Sequence, residues 1–298
     1  MTAVLRNLQD SWSTLRAHPA FRKAPMRLLA RSGLWALHCL VRRPAIVRLG
    51  NHGGKLQLPP RFRRGGATGV FVLREQYETE IAYVERVLRT GMVMIDGGAN
   101  LGIYTILASR LVGSSGRVLA FEPGDKSFRS LVENIALNQA ENVRAFKRAL
   151  ADTSGAARLY HSGGGLVSYS LLPDGGSKTP FEEIETTTID DALAMERIER
   201  VDLLKLDVEG AEELALRGAE QLLARARPMV LFELQPAAPI AAGMRHDGAW
   251  TLLERHGYEL FGVLEGGALV PRAAPCIGNN LALPRNGEVS GERFAHGA

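Results

Sequence analysis

Cysteine is nearly absent. The 298 residues hold only Cys39 and Cys276, which excludes a disulfide framework and a cysteine metal cluster and fits a reducing, cytoplasmic compartment. Long apolar runs are absent too. The best candidate, Leu34 to Val41, is far short of a bilayer span and contains His38. No internal repeat or low-complexity tract stands out. Acidic residues are missing from the front of the chain: residues 1–64 hold 13 Lys/Arg against a single acid, Asp10, for a net +12. The rest is net −8, so the overall +4 and the pI of about 9.2 belong to the front end alone. A hydrophobic fraction of 46% with a mean hydropathy of −0.04 describes a soluble globular protein.

This asymmetry divides the chain into a basic extension, residues 1–64, and a main domain, residues 65–298. Trp12, Leu15, Leu28, Leu29, Leu34, Trp35 and Leu37 suggest one or two amphipathic helices interrupted at Pro19 and Pro25. Two readings compete. The segment is a helical cap whose apolar face packs on the main domain, or residues 1–43 dock on an anionic membrane surface. The cap is the expectation, with docking as a secondary use peripheral to a membrane. An organelle transit peptide would be richer in serine and would not run on into strand-like sequence. From Pro44 to Leu73 the chain reads as short strands, Ile46–Leu49, Lys55–Leu58 and Val70–Leu73, followed by a helix over Tyr77–Leu88.

The informative stretch is Met92-Val-Met-Ile-Asp-Gly-Gly-Ala-Asn-Leu-Gly-Ile-Tyr-Thr105. An apolar strand is closed by Asp96, a tight turn follows at Gly97, Gly98 and Gly102, and Leu101, Ile103, Ile106, Leu107 and Leu111 recur at helical spacing. Strand, glycine turn and helix form the first ligand site of an open α/β sheet. The spacing Asp96-x-Gly98-x-Asn100-x-Gly102 is not the G-x-G-x-x-G of a dinucleotide fold. The next strand, Arg117–Glu122, ends in a carboxylate that can accept both hydroxyls of a ribose. After a third strand, Val143–Lys147, Asp152 is a candidate partner for an adenine amine or simply a turn cap. An inserted hairpin around Gly163–Gly165 offers His161, Ser168 and Tyr169 as acceptor contacts. Glu78 and Glu80 read as solvated or as neighbours of a ligand's amino-acid end.

A second stretch, Val201-Asp-Leu-Leu-Lys-Leu-Asp-Val-Glu-Gly-Ala-Glu212, breaks the apolar habit of a buried parallel strand. Lys205 and Asp207 lie two apart, hence on one side, with Glu209 just beyond. Charges there are costly unless paired or functional. A fifth strand ends at Glu233, and Tyr258–Val263 and Ile277–Leu283 close the sheet as an antiparallel edge hairpin.

Together these residues resemble the FkbM family of methyltransferases. The likeness runs from about Tyr77 to Leu234 plus Asn279-Asn280-Leu-Ala282, and rests on Ile95–Thr105, Phe121-Glu-Pro123, Asn134 with Asn138, Thr188-Ile-Asp-Asp191 and Leu204–Glu212. Where many members carry Val-Gly, this chain has Gly97-Gly98. The resemblance implies a Rossmann-like class I fold with a mostly parallel seven-stranded sheet, S-adenosylmethionine as cofactor, and methyl transfer to hydroxyls of sugars, glycans or natural products. It places the cofactor on Asp96, Gly97, Gly98, Ala99, Asn100, Gly102, Tyr104, Thr105, Glu122, Pro123, Asp152 and Asp207.

An alcohol is a poor nucleophile and gains from a base or metal as the methyl arrives. Asp207 is the first candidate for that base, Glu209 the second, with Lys205 orienting or tuning it. A variant with Mg²⁺ between Asp207, Glu209 and Glu233 stays open. Two other functions compete: a nucleic-acid methyltransferase, disfavoured because residues 1–64 carry no recognised nucleic-acid-reading module, and a non-catalytic S-adenosylmethionine-binding protein, disfavoured because Lys205, Asp207 and Glu209 are all present.

Overall fold

The computed structural model describes residues 16, 18–50, 52–61, 66–161, 169–172 and 179–285. Trp12, Leu15 and Ser168 lie outside them. In chain order the elements are helices α1 (Pro19–Lys23) and α2 (Pro25–Leu40), strands β1 (Ala45–Leu49) and β2 (Gly54–Leu58), helices α3 (Gly66–Leu73) and α4 (Ile81–Val87), then β3 (Val93–Gly97), α5 (Ile103–Val112), β4 (Arg117–Phe121), α6 (Asp125–Leu137) and β5 (Val143–Phe146). There follow β6 (Ala149–Leu150), β7 (Gly155–His161), β8 (Tyr169–Ser170), β9 (Phe181–Thr187), α7 (Ile189–Glu196), β10 (Leu203–Leu206), α8 (Glu212–Arg217), α9 (Glu220–Arg225), β11 (Met229–Leu234), α10 (Ala237–Ala241), α11 (Gly248–Arg255), β12 (Tyr258–Val263), β13 (Leu269–Pro271) and β14 (Gly278–Pro284).

The main sheet runs β13-β12-β14-β11-β10-β3-β4-β5. Five strands are parallel, and the three at one edge are antiparallel. This is the expected arrangement with one strand more: the short β13 adds to the edge hairpin, where Pro271 needs no ladder donor. The last long strand, β14, enters between β11 and β12. Chain order reverses where β10 returns beside β3, and that reversal opens a crevice at the strands' carboxyl ends. Met94, Ile95, Leu203, Leu204, Val230 and Phe232 are fully buried, as strands covered on both faces require.

β7, β8 and β9 form most of a second, four-stranded sheet with β6. Glu185–Thr187, the end of β9, belongs to this second sheet.

The run Val70–Leu73, read as a strand, is instead the end of α3. Its Phe71 ring meets Trp35 of α2 at 5.0 Å, and the Trp35 indole N–H donates to the Thr68 hydroxyl at 2.9 Å. Four consecutive apolar residues, Val70–Leu73, carry no period that separates strand from helix, and packing on α2 decides. The helix expected over Tyr77–Leu88 is confined to α4, with a 3₁₀ turn at Arg74–Gln76 before it. Pro19 and Pro25 open α1 and α2 as first-turn residues.

The β1–β2 hairpin is stitched to the sheet by Asn134 of α6 and Asn138 just past its end. Asn138 Oδ1 accepts from Lys55 N at 2.8 Å and its amide donates to Lys55 O at 2.6 Å. Asn134, fully buried, does the same for Gln57 and also donates to Leu101 O at 2.8 Å. These side chains replace the neighbour that an edge strand lacks. Leu101 and Ile106 of the main domain share one apolar cluster with Leu28, Trp35, Val47 and Phe71.

Candidate functional site

The parallel register sets Lys205 of β10 beside Asp96 of β3. Their ion pair, 3.3 Å from Nζ to Oδ1, is almost wholly buried. The ammonium also donates to the carbonyls of Gly97 (3.3 Å) and Gly98 (3.1 Å), lies 3.7 Å from Asp207 Oδ2, and sits 5.3 Å from the centre of the Tyr104 ring. The other Asp96 oxygen accepts from the Thr105 hydroxyl at 2.6 Å. Burial works against the ammonium, but Asp96, Asp207 and Glu78 outweigh it and hold Lys205 above the ordinary lysine range. It is a fixed cation that ties the glycine turn to the end of β10, not a proton donor or acceptor near neutrality.

The turn itself needs glycine at 98, where φ is +71° and a Cβ would overlap the carbonyl oxygen of Asp207. At Gly97 the space a side chain would take is filled by the tips of Leu150 and Leu206, which accounts for the Gly-Gly variant of the motif. The N–H groups of Gly98 and Ala99 both donate to Phe121 O at 3.0 Å.

Glu122 is buried at the end of β4. Its oxygens accept from Asn100 N and Gly124 N, each at 2.9 Å, and burial raises its carboxyl to about 7 despite these donors. Asn100 holds φ of +50° to deliver its N–H.

The cleft beside these groups is lined by Gly98, Asn100, Glu122, Pro123, Asp207 and Glu209 among the expected residues. Asp96, Gly97, Ala99, Gly102, Tyr104, Thr105 and Lys205 do not line it; they form the layer beneath. Asp152 is exposed, does not line the cleft, and meets only its neighbour Thr153 at 3.5 Å. The wall that sequence reasoning missed comes from Arg148, Ala149 and Leu150 after β5 and from Leu159 and Leu171 of the insertion. His161 is not part of it, and the side chain of Tyr169 lies outside the described residues. The insertion is tied to the site through Ser170, whose hydroxyl donates to Glu209 O at 2.8 Å.

The ends of β10 and β11 gather carboxyls. Asp207 is about a third exposed on the cleft. Burial first, then Asp207 and Glu209, push Glu233 up to about 8, and Glu233 and Asp207 share a hydrogen bond. The Gln235 amide donates to Glu209 Oε2 and to Glu233 Oε2, both at 2.8 Å. Glu233 therefore holds its proton at neutral pH. Glu209 takes φ of +56°, an uncommon conformation for its type. Glu212 holds this turn from below, accepting from Val208 N (2.9 Å) and Gly210 N (3.3 Å), and burial raises it to about 8. Glu78 is half-buried, and burial and then Asp207 raise it to about 7. Glu80 is buried and accepts from Thr79. Among the described residues no three His, Cys, Asp or Glu side chains are placed to hold a metal ion, so Mg²⁺ finds no donor set here.

A sheet of this order, with a glycine turn and a buried carboxyl at its switch point, is that of the class I methyltransferases. The chain belongs to the FkbM family: the family model of the methyltransferase FkbM domain matches residues 96–260. It is an S-adenosylmethionine-dependent methyltransferase of that family. The chain is 28% identical over 177 residues to methyltransferase sdnD of Sordaria araneosa, covering 50% of this chain and 68% of that one. To the 31-O-demethyl-FK506 methyltransferase FkbM of Streptomyces tacrolimicus it is 27% identical, covering 44% of this chain and 60% of that one. The crystal structure of methyltransferase FkbM from Methylobacillus flagellatus aligns at a TM-score of 0.43 and 14% identity, over 86% of this chain and 59% of that one. No helix among the described residues is long and apolar enough to cross a membrane.

Proposed function

We propose that the protein transfers a methyl group from S-adenosylmethionine to a hydroxyl of a small acceptor, a sugar, glycan or natural product. The observation that carries this reading is the carboxyl array at the ends of β10 and β11, with Asp207 open to the cleft and hydrogen-bonded to Glu233. The residues present fit the cofactor: a buried Glu122 facing the cleft can accept from paired hydroxyls, and the Gly98 turn leaves the backbone bare beside it. S-adenosylmethionine supplies an activated methyl on a sulfonium. Asp207 accepts the proton of the acceptor hydroxyl, Glu233 holds Asp207 in place, and Lys205 fixes the strand end from which both act. Positioning of this kind supplies several kcal/mol of a barrier. The name of the Streptomyces tacrolimicus relative refers to an O-demethyl acceptor, and that supports oxygen as the target.

The test is incubation of the enzyme with labelled S-adenosylmethionine and fractionated extract. Label appearing on an alkali-stable ether of a glycan or small molecule supports the reading. Label found only on amines, thiols or nucleic acid overturns it.

A further inference from the structure

Helix α2 has two apolar faces, and only one is used. Leu28 and Trp35 are buried against α3. On the opposite side, Met26, Leu29, Gly33, Leu37 and Leu40 follow one another at spacings of three and four residues, which is one helical face. Met26 is 76% exposed, Leu37 52% and Leu40 80%, with Leu34 and Val41 half exposed beside them. A helix packed on a soluble body carries charged and polar residues there. Among the described residues nothing covers this stripe.

The charges around it are of one sign. Arg22 and Arg27 flank its start and Arg42 and Arg43 its end, all four exposed. No ion pair joins any of them to a carboxylate among the described residues. The sequence has no Asp or Glu between Asp10 and Glu75. Other basic groups of the segment serve the fold: Lys23 pairs with Glu265, and Arg31 donates to Val72 O at 3.1 Å.

We propose that this face of α2 docks on an anionic lipid surface, the leucines entering the headgroup boundary and the four arginines meeting lipid phosphates. The charge pattern selects this occupant. A second copy meeting the same face would bring arginine against arginine, since a twofold contact repeats one patch on both partners. A nucleic-acid backbone would use the arginines but leave Met26, Leu29, Leu37 and Leu40 in water. Only an anionic membrane takes both.

The test is co-sedimentation of the full chain with phosphatidylcholine vesicles, with and without phosphatidylglycerol, at low and high salt. Binding is expected only with phosphatidylglycerol and should weaken with salt. Leu37→Ser with Leu40→Ser should reduce it by about tenfold or more, the scale of burying one leucine, with thermal melting unchanged because both side chains are exposed. Arg42→Gln with Arg43→Gln, beyond the helix end, should lose about fivefold per arginine and serves if the leucine pair fails to fold. Absence of phosphatidylglycerol-dependent binding at low salt overturns the proposal, as does binding that neither pair of variants changes. A dimer that dissociates in the leucine variant would make the face a contact between copies. Salt-sensitive binding of polyuridylate that survives the leucine changes, without vesicle binding, would assign the arginines to a phosphate chain. Either result also overturns it.

Discussion

The two sides of the switch point solve the same problem differently. Beside β3 and β4, the cleft presents a single carboxyl, Glu122, whose acceptors are met by backbone N–H groups at 2.9 Å. Beside β10 and β11 stand Asp207, Glu209 and Glu233, with one side-chain amide, Gln235, shared between two of them. Backbone donors cannot move without refolding the turn, so the first side is a rigid receptor. Carboxyls that satisfy one another through a proton can change charge in place, which suits the role proposed for this side, taking a proton from an acceptor. Lys205 belongs to both, bonded to the carbonyls of Gly97 and Gly98 and near Asp207.

The strongest way to break this division is to remove its shared cation. Lys205→Met leaves Asp96 buried and uncompensated, and should destabilise the protein by about 3–5 kcal/mol. Thermal or denaturant unfolding reads this directly, and cofactor binding should fall with it because the glycine turn loses its anchor. A variant that melts like the wild type would show that the turn stands without Lys205.

Asp207→Asn addresses the second side alone. The amide keeps shape but not basicity, so turnover with labelled cofactor should drop about 10²–10⁴-fold while cofactor affinity stays close to that of the wild type. Equal loss of both would place Asp207 in the receptor instead.

Glu122→Ala addresses the first side. It removes the acceptor of two backbone N–H groups and of the proposed ribose hydroxyls, and should weaken cofactor binding by about 1.5–3 kcal/mol. Calorimetric titration checks it, and wild-type affinity in the variant would move the ribose elsewhere.

How much of this division was legible follows the same line. The strand–turn–helix at 92–112, the carboxylate at Glu122 and the pair Lys205 and Asp207 are local patterns, and each stands at the switch point as the sequence suggests. The roles within the motif were less visible. Asp96 and Thr105 point away from the cleft to hold Lys205, an arrangement that only the β3–β10 register creates. Glu212 was present in the motif, but its service to the N–H groups of Val208 and Gly210 depends on the turn that Gly210 permits. The outer wall of Arg148, Leu159 and Leu171 joins segments far apart in sequence, and no local signal marks them. Asp152, which the sequence offers to an adenine amine or to a turn, stands exposed beside Thr153. Val70–Leu73 became helical because Phe71 packs on Trp35, a contact no short-range pattern encodes.

The smallest expected effect is the pH dependence of stability, and it sharpens the comparison because the carboxyls responsible sit on both sides. Glu78 and Glu122 are raised to about 7, and Glu212 and Glu233 to about 8, from an ordinary 4.5, with burial the first cause in each. A carboxyl raised in the folded state binds its proton more tightly there than in the unfolded chain. Its contribution is full below the unfolded value and is lost as pH rises through the folded one. The melting temperature should therefore fall between about pH 5 and about pH 9. The lowered carboxyls, Asp125, Asp191 and Asp247, are held by Lys147, Ser154 and Arg245 respectively. They act only in acid and leave this window alone. Glu212→Gln isolates one contributor: the amide oxygen still accepts from Val208 and Gly210, no proton is exchanged, and the residue lies outside the cleft lining. The slope of melting temperature against pH should flatten in this variant. An unchanged slope would mean that Glu212 is ionised in the folded protein, and its hold on the β10 turn would then be that of a carboxylate.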